Sequence, residues 1–286
     1  MVPSRYEHYL DIAGRVAETT KGSEFVTAGA VCILPDLAPD IRGSAQGLPK
    51  WRDCDLSAAL QAVEIINGGA LAALALRVYK MPAPWAEFWN DAKDYHSKMA
   101  SKTRSRAGFV KAANIIRYTL FGECSALLMA ETVRRVGPPT VRDADDLSRI
   151  ELRVVCDSDI QGADNIETFR YLWRHLEESQ PLMRELGLSE HARDVALETE
   201  QTEPMLLLAD HLAGAIHASK GLGSVPPPRY CSEADLKEIG SAYLELPHFE
   251  VVEQVFDIPY KEIFLDTRIG QLLWPSRNSD QQPLPK

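Results

Sequence analysis

Cysteine is scarce in this sequence, and the few cysteines lie far apart along the chain. The 286 residues include an odd number of them without a Cys-x-x-Cys spacing, namely Cys32, Cys54, Cys124, Cys156 and Cys231. This pattern argues against a disulfide framework and against a zinc knuckle. We therefore expect a protein of a reducing compartment, the cytoplasm.

Long apolar runs are also missing. Every apolar stretch of the sequence stops well short of the ~18 residues that a membrane-spanning helix needs. The segment Met1–Gly14 lacks the cationic region followed by an apolar stretch that is typical of a secretory leader. The sequence thus predicts neither membrane insertion nor secretion.

An excess of positive charge is the third feature that the chain lacks. Lys and Arg total 31 against 41 Asp and Glu, which gives a net charge of -10 and a pI of about 5.3. A general positive coat for nucleic acid or anionic lipid is therefore not expected, and any basic contact must be local. With 45% hydrophobic and 25% charged residues, the chain has the composition of a folded protein with a sizeable core.

Five segments have the composition or alternation typical of β-strands. They cover residues 6–11, 24–34, 69–80, 150–156 and 194–199, and the first two are placed to pair as a hairpin. Helical patterns cover about residues 105–135, 166–178 and 202–219, the last with Thr202 as its cap, and another helix capped by Asp55 or Ser57 runs to about Asn67. The sequence predicts an α/β fold with a mixed five-stranded sheet flanked by helices.

A segment rich in proline and glycine at residues 221–229 indicates a boundary between a domain and a C-terminal extension. We predict a domain over residues 1–220 and a helical C-terminal extension over 221–274. Within that extension, residues 233–264 are expected to form helix in two pieces. The polar tail at 275–286 is expected to be flexible.

One acid lies in an almost entirely apolar helix. Apolar residues between Met205 and Ala218 occupy most of the helical circumference around Asp210, which predicts a buried helix. A buried carboxylate without partners costs several kcal/mol, so Asp210 must be paired, hydrogen-bonded, protonated or bound to a cation. His217 follows on the same face, within about 20° of Asp210, and Gly214 leaves room between them. Pairing with an Arg or a backbone turn and use in a functional site are both open readings.

Two further acids each stand at the end of an apolar strand. Asp11 closes the first strand and Asp157 follows the fourth, at the edge where open α/β sheets place ligands and catalytic groups. If Asp210 joins them, three carboxylates repel one another unless a hard divalent cation neutralises them. We therefore predict a Mg²⁺ or Mn²⁺ site made by Asp11, Asp157 and Asp210, which implies phosphate chemistry.

The order of these residues resembles a known bacterial family. The matching features are Leu10-Asp11-Ile12-Ala13-Gly14, the Lys that closes Arg77-Val78-Tyr79-Lys80, the acid after the fourth strand, and Leu208-Ala209-Asp210-His211-Leu212-Ala213-Gly214-Ala215. They are similar to motifs of the bacterial "domain of unknown function" family numbered three thousand eight hundred. The resemblance covers roughly residues 5–219. It implies a ribonuclease H-like domain, a fold whose members use three or four carboxylates and two metal ions.

The resemblance also implies roles for individual residues. It makes Asp11 and Asp210 the surest metal ligands and Asp157 the third, and it places Lys80 at the rim of the site. Ile12 stands where the family usually has a second acid, which leaves open whether the site lacks a ligand and whether it is active. A fourth acid is left open among Asp53, Asp55, Glu123 and Glu131.

Such a site would hold two cations about 3.5 to 4 Å apart that clamp the scissile phosphate. His217 would then either shuttle a proton to the leaving group or make a structural hydrogen bond near the ligands.

A local basic stretch offers a place for nucleic acid. No acid lies between Asp94 and Glu123, whereas the basic residues there are Lys98, Lys102, Arg104, Arg106, Lys111 and Arg117. We predict substrate binding by Lys80 together with the first four of these, and the alternative is a solvated connection between helices. The nearby Trp85, Phe88 and Trp89 either stack bases or pack in the core.

Two functions follow from these observations. The first is a divalent-metal-dependent phosphodiesterase of ribonuclease H-like type that cleaves RNA or DNA. The second is a ribonuclease H-like interaction module without catalytic activity, favoured by Ile12 and by the C-terminal extension. The helices of that extension could also form a homodimer contact.

Overall fold

The sheet of this protein begins with a meander of three strands. The computed structural model describes residues 5–16, 24–87, 89–90, 112–136, 151–158, 194–221 and 227–256. Strands β1 (Arg5–Ala13), β2 (Phe25–Ile33) and β3 (Ala70–Lys80) pair antiparallel in chain order. All nine residues of β2 are buried, as its run of small and β-branched residues predicts for a central strand.

Three parallel pairings extend the meander to a mixed sheet. Strand β4 (Glu151–Asp157) pairs with β1, β5 (Asp194–Glu198) pairs with β4, and β6 (Phe249–Phe256) pairs with β3. The strand order is β5-β4-β1-β2-β3-β6. The α/β class, the mixed sheet and the pairing of the first strands are thereby confirmed.

The predicted count of five strands is wrong, because the part of the chain that the structure describes contains six. The second half of the segment predicted to be helical, residues 233–264, contributes β6 instead. Its Val251, Val252 and Val255 are β-branched, and pairing with the open edge of β3 satisfies its backbone. The first half is helical as predicted. The division into domains at residue 220 stays a prediction.

Five helices of the described ranges accompany the sheet. They are α1 (Ala38–Ala45), α2 (Leu56–Gly69), α3 (Ala112–Val136), α4 (Leu206–Lys220) and α5 (Glu233–Leu244); residues 82–87 are helical too. None of the helices described has the length and apolarity that crossing a bilayer requires. The predicted helix at 166–178 lies outside the described residues.

Local interactions explain how these helices begin. Asp55 caps α2 by accepting a hydrogen bond of 2.8 Å from the Ala58 amide, which decides between the two predicted caps. Thr202 does not cap α4, because its hydroxyl donates to Glu198 at 2.8 Å within the preceding turn. Helix α1 has a proline in its first turn, and one side of the helix is buried.

The two faces of the sheet carry different helices. Residues paired across β1 and β2 point to the same face, and successive residues alternate. His8 of β1 reaches Ser125 of α3 at 2.6 Å, whereas Gly29 of β2 lies against α4. Because Asp11 pairs with Gly29, its side chain is on the α4 face.

Candidate metal centre

Adjacent parallel strands bring Asp11 and Asp157 together. Leu10 of β1 is in register with Cys156 of β4, so the next residue of each strand lies at the same edge and on the same face. One carboxylate oxygen each from Asp11, Asp157 and Glu200 lies within 4.8 Å of the other two. Asp11 is buried and the other two acids are half-buried. We call these residues the three-acid group.

Glu200 is the member of this group that the sequence analysis missed. It lies just beyond β5, which is the neighbour of β4 in the sheet. The signal was available, because an acid shortly after a strand is the feature that singled out Asp157. The strand before Glu200 has only five residues, whereas Asp210 lies in a long apolar helix. The pattern at Asp210 was therefore the stronger indication of a third ligand.

A cation of the chain itself borders the three-acid group. The Lys50 ammonium forms an ion pair with Glu200 at 2.5 Å. This hydrogen bond, with smaller contributions from Asp157 and Asp210, raises the pKa of Lys50 above its ordinary value. The side chain of Lys50 is 46% exposed, so it can leave the acids without disturbing the core.

Asp210 lies beside the three-acid group and has a structural partner. Its carboxylate accepts a hydrogen bond of 2.8 Å from the Trp51 amide, in the short 3₁₀ helix Trp51–Asp53. Burial raises the pKa of Asp210 to about 6; the amide opposes the shift and the charge of Glu200 adds to it. The predicted backbone partner is thus present. Its role as a metal ligand stays a prediction.

Helix α4 holds the segment around Trp51 through three successive contacts. Besides Asp210, the His211 ring nitrogen Nε2 donates to the Pro49 carbonyl at 2.7 Å. A Cβ on Gly214 would overlap the Trp51 indole, so the small residue makes room for a side chain of the chain itself. These contacts fix the backbone on both sides of Lys50 and so keep its side chain within reach of the acids.

His217 packs where β1 ends and β2 begins. Its Nδ1 lies 3.2 Å from the Thr27 hydroxyl, and its ring centroid is 4.4 Å from that of Phe25. Gly14, at φ +94°, turns the chain after β1 against the same ring. Burial, together with the charges of Arg77 and Lys80, lowers the pKa of His217 to about 4, so the ring is neutral at pH 7. These contacts are structural, and a role in proton transfer stays a prediction.

Lys80 is buried at the end of β3. Its ammonium donates to the Arg15 carbonyl at 3.1 Å and lies 5.3 Å from the centre of the Trp85 ring. Burial, and secondarily the charge of Arg15, lowers the pKa of Lys80 to about 8. Trp85 is fully buried and therefore belongs to the core; Phe88 lies outside the described residues. Substrate binding by Lys80 stays a prediction.

The four candidates for a further acid have other surroundings. Asp53 pairs with Arg52 at 3.2 Å on the surface, and Asp55 caps α2. Glu123 and Glu131 belong to α3, which packs on the face opposite Asp11. Burial raises the pKa of Glu123 to about 7. Of the predicted basic stretch, Lys98, Lys102, Arg104, Arg106 and Lys111 lie outside the described residues, and Arg117 is in α3.

The arrangement offers three hard oxygen donors at one edge of the sheet, which is the ligand chemistry of Mg²⁺ and Mn²⁺. The sequence matches no protein-family model and gives no significant match among curated proteins. The interpretation of the site therefore depends on its chemistry, and the resemblance described above stays a prediction.

Proposed function

We propose that this protein is a phosphodiesterase of ribonuclease H-like type that cleaves RNA or DNA with Mg²⁺ or Mn²⁺, within the family numbered three thousand eight hundred. The observation that carries the proposal is the convergence of Asp11, Asp157 and Glu200 within 4.8 Å. Parallel β1 and β4 deliver two of these acids, and the turn after β5 delivers the third.

The three carboxylates repel one another and are suited to coordinate a divalent cation. Such a cation is the usual way to offset the repulsion among three carboxylates in one small region. A divalent cation held there would supply activated water and offset the charge of the scissile phosphate.

The remaining residues of the site orient these donors. The Ile12 amide donates to the Asp11 carboxylate at 2.6 Å and holds its direction. Ile12 itself follows Asp11 within β1, so alternation turns its side chain to the opposite face. An acid at position 12 would not have joined the three-acid group directly, and the absence of one does not count against the proposal.

A second candidate function is an interaction module without catalytic activity. The observation in its favour is that acids at this edge already have partners within the chain. Glu200 pairs with Lys50, and Asp210 accepts the Trp51 amide. In this alternative Lys50 is a permanent counter-ion and no metal binds.

The first prediction separates the two functions by the response to metal. Mn²⁺ should raise the melting temperature of the wild type, because it binds the folded state alone. In Asp157→Asn and Glu200→Gln, Mn²⁺ should no longer raise the melting temperature, and cleavage of labelled RNA or DNA should fall at least about 100-fold. Loss of a residue that only hydrogen-bonds to a metal ligand already costs about 10- to 100-fold in metal affinity or activity. Thermal unfolding and gel-based cleavage assays check this.

The matched control is Glu238→Gln, which removes an exposed acid on α5. It should keep both the metal response and the cleavage. If Mn²⁺ leaves the melting temperature of the wild type unchanged and the wild type cleaves neither RNA nor DNA, the phosphodiesterase is contradicted and the interaction module is favoured.

A further inference from the structure

Two loop segments run side by side next to the three-acid group. The Arg229 amide donates to the Arg52 carbonyl at 2.9 Å, and Asp55 and Tyr230 form an isolated parallel bridge. Together they present one outer surface. We call it the Tyr230 surface, and its residues are Lys50, Arg52, Arg229 and Tyr230.

The Tyr230 surface combines an open aromatic ring with exposed positive charge. Tyr230 is 58% exposed and, within the described ranges, is the one aromatic among the exposed large apolar side chains. The Arg229 guanidinium carbon lies 5.3 Å from the centre of its ring. The Arg52 side chain is 78% exposed and pairs on the surface with Asp53 at 3.2 Å, a contact that a phosphate would have to displace. Burial in the core explains none of these side chains.

The surface is joined directly to the acids. Trp51 stands between Lys50 and Arg52, and its amide holds Asp210 at 2.8 Å. Lys50 pairs with Glu200, a member of the three-acid group. The charge of Arg52 also acts on Asp210, which places the Arg52 end of the surface near these acids.

We propose that the Tyr230 surface binds a single strand of RNA or DNA, with a base stacked on Tyr230 and backbone phosphates on Arg52 and Arg229. The inference rests on the proposed phosphodiesterase function, whose substrate path it specifies. An exposed ring beside cations is the combination that binds single strands independently of sequence, because every base has a face that can stack. In a duplex the bases are already stacked, so the single strand is the preferred ligand.

Binding is measured by fluorescence anisotropy with labelled single strands of about 12 nucleotides, a length within the usual site size. The full chain is used in EDTA, so that nothing is cleaved. Tyr230→Ala should raise the dissociation constant about tenfold, whereas Tyr230→Phe, which keeps the ring, should stay within about twofold. A duplex of the same sequence should bind at least about tenfold more weakly. RNA and DNA versions of the strand show which sugar the surface accepts.

The arginines are tested by the salt dependence of the same binding. Arg229→Ala and Arg52→Ala should each reduce the slope of log affinity against log salt by about one, because each releases one phosphate contact. Lys237→Ala removes an exposed positive charge on α5 and should change neither affinity nor slope. Circular dichroism confirms that the variants are folded.

Hydrolysis of a small activated phosphodiester with Mn²⁺ by the wild type, compared with Asp157→Asn, reports on the three-acid group alone. If this hydrolysis occurs but the Tyr230 and Arg229 variants bind the single strand as tightly as the wild type does, the inference is overturned and the proposed function stands. If strand binding depends on both residues and no hydrolysis occurs, the surface is confirmed and the phosphodiesterase fails. A wild type that binds no strand overturns the inference in either case.

Discussion

Lys50 and a divalent cation would compete for the same carboxylates. In Lys50→Met the acids keep their positions, the side chain keeps its length and the competing charge is lost. We expect Mn²⁺ to bind this variant about tenfold more tightly than the wild type. Without metal, the variant should lose up to about 1 kcal/mol of unfolding free energy, a small loss because Lys50 is half exposed.

Calorimetric titration with Mn²⁺ checks this prediction, with Lys237→Met as the control for removal of an exposed lysine. Weaker metal binding by Lys50→Met would mean that the lysine holds Glu200 in place rather than competing with the ion.

Glu123 gives a prediction about pH. This buried residue of α3 has its pKa raised to about 7 by burial, above the ordinary value of about 4.3. The folded protein therefore holds this proton more tightly than the unfolded chain. The stabilising contribution of Glu123 is complete below about pH 4 and is lost as the pH rises through about 7.

Glu123→Gln removes this dependence because the amide does not ionise. The unfolding free energy of the variant minus that of the wild type should increase by about 3 kcal/mol between pH 4 and pH 8. Urea denaturation at several pH values measures the difference. A difference that does not vary with pH would show that Glu123 has a partner that stabilises its charge.

Single residues show both the strength and the limit of the sequence argument. Asp11 and Asp157 could be found because each acid ends an apolar strand, a pattern that is local. The Lys50–Glu200 pair and the Trp51–Asp210 hydrogen bond join residues about 150 positions or more apart. No periodicity or spacing encodes such contacts, so the neighbours of the acids came only from the tertiary structure.

At the scale of elements, the contact between β2 and α4 determines where Asp210 lies. A Cβ on Gly29 would come within 2.8 Å of the Ala209 carbonyl oxygen and of the Ala213 nitrogen. In Gly29→Ala the helix must therefore move away from the sheet. We expect a loss of about 1 to 3 kcal/mol in unfolding free energy.

The matched control for this prediction is Gly43→Ala in α1, where an added Cβ meets nothing within 4 Å. That substitution should raise the unfolding free energy by up to about 1 kcal/mol through helix propensity. Thermal unfolding of the two variants tests the contact. A Gly29→Ala protein as stable as the wild type would show that α4 is not held closely against β2.

Element prediction succeeded where a pattern was both long and local. Strands β2 and β3 and helix α2 begin and end within a few residues of their predicted bounds, and helix α5 begins at its predicted residue. Helix α1 was not predicted because its eight residues include one proline and one glycine, Pro39 and Gly43. Strand β6 was missed because its stability comes from pairing with β3, which lies far away in the sequence.

On the scale of the whole molecule, the chain crosses the sheet from one edge to the other. Strand β5 lies at one edge and β6 at the opposite edge. The connection between them contains α4, which packs on β1 and β2, and α5, which packs on α4 and α2. The mixed sheet could be predicted from the order of strands and helices. The sixth position could not, because it depends on where this long connection returns.

This path also sets the time at which the acid centre is assembled in the cell. Translation delivers Asp11 early and Glu200 only after most of the chain has been made. A nascent chain shorter than 200 residues therefore carries at most two of the three carboxylates, and its Lys50 still lacks Glu200 as a counter-ion. Whatever chemistry the finished protein performs, the nascent chain cannot perform it with this centre.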